Sequence, residues 1–432
     1  MNERLVISTI NLKKFKNLKF APNGLKLNDL NILIGPNGSG KSNLLSIINF
    51  ISQATLQGKD QSSDLSEFER AVIELGDSMI IDGTLDLPDI LSIECEFACL
   101  HNPDTVYSLV LDILVKGRAG LSPVIKREIL SQPDVKKDKE HPFYFYKAHD
   151  LESGKGVVSA YNLPPGGQTH FEELESIPAN KLLFSTIPEL LEKTSLSPEQ
   201  TPVYEIRRKL ADTISGWRFY NANEMNLKEI RESEPKITGH TETYLLPSGK
   251  NLPSVFDSLC QFDFTFEEII NQELRKILPA SRKIRAVRSG RLRLMIEWHL
   301  EGITNGLHLS DMSDGTVRML CWALILLSPK PPTLIVLDEP EVGLHPAWMK
   351  TLAQWIITAS QKAQVIISTH SPDLLDHFTD QYQNVVCFNT EGRNHFSPRT
   401  LPEHLLKEKL KEEWELGDLY RVGDPAVGGW PW

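Results

Sequence analysis

The sequence predicts an α/β protein with an N-terminal antiparallel β subdomain, a parallel core sheet and an inserted, mainly helical lobe. Three observations predict it. Alternating apolar residues dominate the first third, as in strands with one buried face. The middle third is rich in charge, Pro and Gly and carries amphipathic stretches of helical period. The last third alternates short apolar runs with helical segments, the pattern of βαβ units. A chain of 432 residues exceeds what one hydrophobic core usually serves. We therefore divide it into residues 1–125 and 291–400 as two parts of one core domain, 126–290 as the inserted lobe, and 401–432 as a C-terminal helix and tail.

In order along the chain, residues 5–10 alternate as a strand, Pro22-Asn23-Gly24 makes a turn, and residues 30–34 form a short continuous apolar strand. A glycine-rich loop follows, then helical periodicity over 43–48, a polar loop over 57–67, and strands at 90–98 and 106–115. Loops are expected at 131–140 and 164–167, and helices at 187–193, 204–215 and 269–278. The last third reads as strand 292–300, helix 317–327, strand 333–337, helix 348–360 and strand 364–368, with a charged helix at 405–416. No heptads or internal repeats support a coiled-coil arm. The aromatic run over 141–146 offers a stacking platform for bases or, as the better reading, core packing. Trp430 and Trp432 either dock on a partner or, preferably, fold back over their own sheet edge.

With 41% hydrophobic and 24% charged residues, the composition excludes a disordered or collagen-like chain. No apolar run approaches the roughly 20 residues of a membrane span. The first ten residues enter a strand pattern without a basic flank or apolar leader, so a cytoplasmic location is expected. Cys95, Cys99, Cys260, Cys321 and Cys387 give neither a disulfide framework nor a zinc spacing and read as core residues. The net charge of -11 opposes passive adhesion to nucleic acid, so any basic surface must be local.

The chemistry concentrates in a few strings. Gly35-Pro36-Asn37-Gly38-Ser39-Gly40-Lys41-Ser42 is a full GxxxxGK[ST] match between an apolar strand and a helix. Such a loop turns backbone N–H groups toward phosphates, its lysine reaches the terminal phosphates, and the Ser42 hydroxyl ligates Mg²⁺. Asn43 follows directly and is included among the nucleotide-contacting residues. Downstream, an apolar strand delivers Asp338 and Glu339 at its C-terminal end, where parallel sheets bind ligands. Asp338 suits a Mg²⁺ ion held through water, and Glu339 suits orientation or deprotonation of the attacking water. Ser313-Asp314-Gly315 opens a helix, and His370 follows the next strand.

In this order the four pieces resemble the ABC-type ATPases, which implies a P-loop NTPase fold of ABC type. Ser313, Asp314 and Gly315 then correspond to the signature motif, and His370 to the switch histidine at the γ-phosphate. The wording from Asp338 to Pro346, the string Ser368-Thr369-His370-Ser371-Pro372 and the opening Phe15-Lys16-Asn17 are similar to the RecF/SMC and overcoming-lysogenization-defect (OLD) branch. About 270 positions between Ser42 and Ser313 disfavour a transporter subunit. Asp314-Gly315 stands where transporters carry Gly-Gly, and Gly343-Leu344-His345-Pro346 stands where many ABC proteins carry a loop ending in Asp. Gln53, Gln57 and Gln61 all remain open for the Q-loop glutamine.

The resemblance implies Mg²⁺-dependent ATP hydrolysis in a homodimer or higher assembly, with ATP sandwiched between the loop of one copy and Ser313 of another. Hydrolysis would then open and close the dimer. It further implies the ATPase or sensor component of a prokaryotic antiphage defence complex, with a nuclease or toxin effector encoded nearby. The alternative is a DNA-binding repair or recombination ATPase acting as a clamp or scaffold. OLD nucleases append a Toprim domain after the switch histidine, and the about 60 residues beyond His370 lead us to expect no nuclease in this chain. Residues 275–293 hold eight basic side chains (Arg275, Lys276, Arg282, Lys283, Arg285, Arg288, Arg291, Arg293) and no acid, which suggests a nucleic-acid groove or, otherwise, a strand with a solvated basic face or an intramolecular match for the acidic lobe.

Overall fold

A computed structural model describes residues 4–56, 65–82, 89–100, 102–115, 122–133, 143–150, 153–161, 169–237, 241–290, 292–392 and 394–428. The strands are β1 Leu5–Lys13, β2 Leu25–Lys26, β3 Leu30–Ile34, β4 Ile90–Cys99, β5 Asn102–Leu114, β6 Val124–Gln132, β7 Phe143–Asp150, β8 Lys155–Tyr161, β9 Thr169–Leu174, β10 Trp217–Asn221, β11 Ser281–Ser289, β12 Arg293–Leu300, β13 Leu307–His308, β14 Leu334–Asp338, β15 Gln364–Ser368, β16 Val385–Glu391 and β17 His395–Thr400. The helices are α1 Lys41–Thr55, α2 Glu67–Leu75, α3 Leu183–Glu192, α4 Val203–Ser215, α5 Leu227–Arg231, α6 Leu252–Phe262, α7 Phe266–Ile277, α8 Asp314–Leu326, α9 Met349–Ser360, α10 Pro372–Asp376, α11 Glu403–Lys411 and α12 Leu416–Arg421. The chain forms two units. Met1–Asn28, Gly35–Trp217 and Cys387–Arg399 make the first, and Asp29–Ile34, Arg218–Val386 and Thr400–Trp432 the second. No helix among the described residues is long and apolar enough to cross a membrane.

The first unit is built on an eight-stranded antiparallel sheet of order β2-β1-β4-β5-β6-β7-β8-β9. β4 alternates buried and half-buried residues along its whole length, the period-two signature of a sheet with one face on a core. α1 buries Leu44, Leu45, Ile47, Ile48 and Ile51, and its Phe50 ring meets Phe68 of α2 edge-on at 6.3 Å. Each such fully buried ring contributes roughly 2–3 kcal/mol of transfer free energy. α2 is fixed at its start by a capping box, with Ser66 and Glu69 each satisfying the other's backbone N–H.

Residues 126–290, expected as a mainly helical lobe, divide differently. β6 to β9 extend the N-terminal antiparallel sheet, and helices begin only at α3. The strand period of β6 is disguised by Glu128, a carboxylate on the buried face. Glu128 is 0% exposed and accepts from Tyr146 Oη at 2.7 Å and from the first backbone N–H groups of α3, Leu183 at 2.6 Å and Phe184 at 2.7 Å. It thus satisfies orphan donors at a helix start that has no cap of its own. Burial nevertheless dominates and raises its pKa to about 7, the three hydrogen bonds acting the other way. In the aromatic run, Phe145 and Tyr146 are buried, in keeping with core packing.

The second unit holds β14, β15 and β3 as parallel neighbours, with β10 beside β14 and β16 beside β3. All five residues of β3 and of β15 are buried, the continuous apolar pattern of a strand covered on both faces. α8 buries Trp322 and α9 buries Trp355, whose indole N–H donates to Glu273 of α7 at 2.7 Å. A separate antiparallel sheet, β11-β12-β13, carries the basic stretch. The single C-terminal helix expected over 405–416 is two, α11 and α12. The break follows from Glu412 and Glu413, acids at the negative end of a helix dipole, with Glu413 in the left-handed region at φ 65. The loops expected at 57–67, 131–140 and 164–167, and the two terminal tryptophans, lie largely or wholly outside the described residues.

Candidate functional site

The glycine loop belongs to the first unit and runs directly into α1, whose first residue is Lys41. Gly40 is the N-cap and has no side chain to cap with, so the first-turn N–H groups are left to other acceptors. Its φ of 97, and the mere 2.4 Å that would separate an added methyl from Leu18 Cδ2, explain why only glycine fits there. Lys41 is buried, and its ammonium donates to the carbonyls of Gly35 at 2.8 Å and Pro36 at 3.1 Å. Asn37, Gly38 and Ser42 are exposed, whereas Ser39 is buried with a hydroxyl that has no partner among the described residues.

A turn after β1 grips this loop. Asn17 donates to the Gly38 carbonyl at 2.7 Å and accepts from Asn43 at 3.0 Å, while Lys16 donates to Asn43 Oδ1 at 3.3 Å. Phe396 of β17 pairs with the turn through Lys19 N–H at 2.9 Å and the Asn17 carbonyl at 2.8 Å. Asn43 therefore serves the loop through Asn17, a tie that no local string announces. Burial lowers the pKa of Lys16 from the ordinary lysine value.

The remaining expected residues lie in the second unit. Parallel register sets Asp338 beside Ser368 and Ser368 beside Leu33, so β14, β15 and β3 end at one edge. Asp338 has both oxygens engaged: Ser368 Oγ donates to Oδ1, and Asn221 Nδ2 donates to Oδ2 at 3.0 Å. Glu339 follows in the left-handed region at φ 50, an uncommon conformation for a glutamate and one that concentrates at functional sites. Its amide donates to the Ser368 carbonyl at 3.0 Å, and its carboxylate lies 3.7 Å from His370 Nε2. Asp338, Glu339 and His370 are thus brought together at one sheet edge.

Ser313 caps α8, accepting from the Thr316 N–H at 3.3 Å and sharing a 2.8 Å bond with its hydroxyl. Asp314 pairs with Arg231 at 2.6 Å, and the same guanidinium donates to the Met312 carbonyl at 2.8 Å. A methyl on Gly315 would lie 2.9 Å from the Trp348 ring and 3.1 Å from the Gly343 carbonyl, so this glycine permits close packing of α8 on the turn after β14. Further along α8, the Trp322 indole N–H holds the Pro340 carbonyl at 3.0 Å.

Among the described residues no group of three or more His, Cys, Asp or Glu side chains could hold a metal by itself. The Asp338 carboxylate, in the second unit, is a hard oxygen donor of the kind Mg²⁺ takes, and suits that ion only when phosphates and water complete the shell. The exposed Ser42 hydroxyl, in the first unit, is a donor of the same kind. Of the open glutamines, Gln53 donates to Glu74 at 2.7 Å, and Gln57 and Gln61 lie outside the described residues. Cys95, Cys99, Cys321 and Cys387 are buried and Cys260 half-buried. Burial pushes the thiols of Cys260, Cys321 and Cys387 up to about 12, which leaves them unreactive.

The family described as "AAA domain, putative AbiEii toxin, Type IV TA system" matches residues 30–163 and 167–376. The chain belongs to that family. As a member of this AAA-domain family it is also similar to two curated proteins. It is 23% identical over 440 residues to the Old nuclease of Escherichia phage P2, covering 98% of this chain and 64% of that protein. It is 22% identical over 415 residues to a "Retron Vc95 probable ATPase" of Vibrio cholerae serotype O1 biovar El Tor, covering 88% of this chain and 72% of that one. The chain thus spans just under two thirds of the first relative's length. Among solved structures, an Smc head bound to the C-winged helix domain of ScpA aligns with a TM-score of 0.49 and 13% identity, over 92% of this chain and 99% of that one. The expected kinship with OLD-like ATPases is borne out by the family match and these relatives.

Among the described residues, four of the eight basic residues in the stretch pair with acids. Lys276 pairs with Glu273 at 2.7 Å, Lys283 with Glu267 at 2.8 Å, Arg285 with Glu297 at 2.7 Å and Arg293 with Glu234 at 3.9 Å. Arg275 donates to the Ser281 and Arg282 carbonyls, while Arg291 lies outside the described residues. The intramolecular match accounts for these four pairs.

Proposed function

We propose that this chain hydrolyses ATP with Mg²⁺ and uses the cycle to close and open an assembly of two or more copies. Residues 35–43 take the phosphates, with Lys41 on the terminal ones. Ser42 and Asp338 serve the ion, which would neutralise phosphate charge when bound. Glu339 directs a water at the γ-phosphate, and His370 contacts that phosphate. Ser313, Asp314 and Gly315 of a second copy complete the pocket. The observation that carries this reading is the pairing of Glu339, in its left-handed backbone, with His370 at 3.7 Å beside Asp338.

In the organism the chain would act as the ATPase or sensor component of a defence complex whose effector, a nuclease or toxin, is a separate protein. The family description, which names a toxin and a type IV TA system, and the retron ATPase among the relatives support this. A DNA clamp or scaffold role is the second reading, and the pairing of the basic strand with acids weighs against that route to nucleic acid.

The test is ATP binding and steady-state hydrolysis by the wild type, Lys41→Ala and Glu339→Gln. Lys41→Ala should lose ATP binding at least about tenfold, and Glu339→Gln should bind ATP but lose about 10²–10⁴ in kcat. Light scattering of Glu339→Gln with ATP should show a dimer or larger species absent without nucleotide. Normal turnover by Lys41→Ala would remove the site, and an unchanged mass at every protein concentration would remove the sandwich.

A further inference from the structure

The turn after β14 contains a second glutamate, Glu341, for which the hydrolytic scheme has no task. Its Oε1 accepts three hydrogen bonds from one short segment: Thr369 Oγ1 at 2.6 Å, His370 N–H at 2.9 Å and Ser371 N–H at 3.2 Å. These amides follow the last residue of β15, where the strand ladder no longer supplies acceptors, so each needs a partner from elsewhere. A single carboxylate oxygen supplies it to both. Glu341 Oε2 is buried and has no hydrogen-bond partner among the described residues.

The segment is pinned at its other end as well. Ser371 caps α10 through the Leu374 N–H at 3.2 Å, and its own N–H also reaches Thr369 Oγ1 at 3.0 Å. Between the two anchors stands His370, whose ring reaches toward Glu339, two residues before Glu341 across Pro340. We propose that Glu341 is a positioning residue: by fixing the backbone of residues 369–371 it holds the His370 ring beside Glu339. The claim deepens the ATPase reading and rests on it for its catalytic consequence.

Two measurements on the full chain test it. Without nucleotide, amide exchange read by mass spectrometry should accelerate about tenfold or more in the peptide spanning 369–371 of Glu341→Ala, with β14 and α9 unchanged. Glu341→Gln keeps an oxygen acceptor and should stay close to wild type. In steady-state kinetics Glu341→Ala should lower kcat about tenfold or more with KM for ATP within about threefold, and Glu341→Gln should recover most of the loss. Added to His370→Ala, Glu341→Ala should cost nothing further, since the two act through one ring. Unchanged exchange at 369–371, acceleration spread over the whole unit, or losses that multiply in the double variant would each overturn the proposal. A wild type that does not hydrolyse ATP ends the ATPase reading separately, and the exchange measurement still decides whether Glu341 fixes the segment.

Discussion

The side-chain amide of Asn221 donates to Asp338 Oδ2 at 3.0 Å, across 117 positions of sequence. Together with Ser368 on Oδ1 it aims the carboxylate's remaining lone pairs in fixed directions. Partners of this kind behind a metal-holding group typically change metal affinity 10–100-fold when removed. Asn221→Ala should therefore raise the Mg²⁺ concentration for half-maximal ATP hydrolysis about tenfold, with kcat at saturating Mg²⁺ little changed. A Mg²⁺ titration that superimposes on wild type would refute the assignment of Asp338 to the ion.

Gly40 carries the sharpest steric demand in the glycine loop. A methyl there meets Leu18 at 2.4 Å and Asn17 Oδ1 at 3.1 Å, at a φ of 97. Gly40→Ala should cost about 1–3 kcal/mol in urea unfolding and weaken ATP binding by displacing the Asn17 turn. Gly38, where the added methyl meets nothing, is the control for space, though its φ of 76 still imposes some strain. Equal losses at the two positions would mean that the clash with Leu18 is relieved at no cost.

Burial raises the Glu128 pKa to about 7 from an ordinary 4.5. The folded state therefore binds a proton more tightly than the unfolded chain. Its contribution is fully present below pH 4.5 and is lost as pH rises through about 7. Between pH 5 and 8, Glu128→Gln should gain stability relative to wild type by about 3 kcal/mol, judged by denaturant midpoints at each pH. A difference between the two proteins that does not vary with pH would mean that the hydrogen bonds from Tyr146, Leu183 and Phe184 outweigh desolvation.

Arg285 and Glu297 face each other in the β11–β12 register and pair at 2.7 Å. An exposed cross-strand pair of this kind contributes about 0–1 kcal/mol. Arg285→Ala should change the melting temperature little, and it should leave the salt dependence of any duplex DNA binding unaltered. A shallower slope of affinity against salt in that variant would restore the basic strand as a nucleic-acid surface.

What is legible in the sequence is what depends on neighbours in sequence. The glycine loop, α1, β14 with Asp338 and Glu339, and β15 before His370 are each specified by contiguous strings whose period or spacing is visible. Ser368 and Glu341 act on partners brought to them by the parallel β14–β15 register, and Asn221 on a partner in the neighbouring strand; the strings around Ser368 and Glu341 mark the family without marking these contacts, and nothing near Asn221 marks it. Glu341 leaves one trace, as a second acid in the turn after Asp338. The antiparallel sheet extends further than its alternation announces, because a buried charge, Glu128, breaks the period of β6 and its neighbours are rich in Lys, Arg and Glu. The C-terminal helix is shorter than its periodicity, which persists through Glu412 and Glu413, where the backbone turns.

The passage of the chain between its two units at residues 28/29, 34/35, 217/218, 386/387 and 399/400 bears on any attempt to dissect the molecule. Neither half is a single stretch of gene, so no single truncation yields one unit intact and free of the other. Isolating one half would require splicing three separate segments. Random deletion libraries should accordingly yield few folded survivors, with tolerated cuts confined to surface turns.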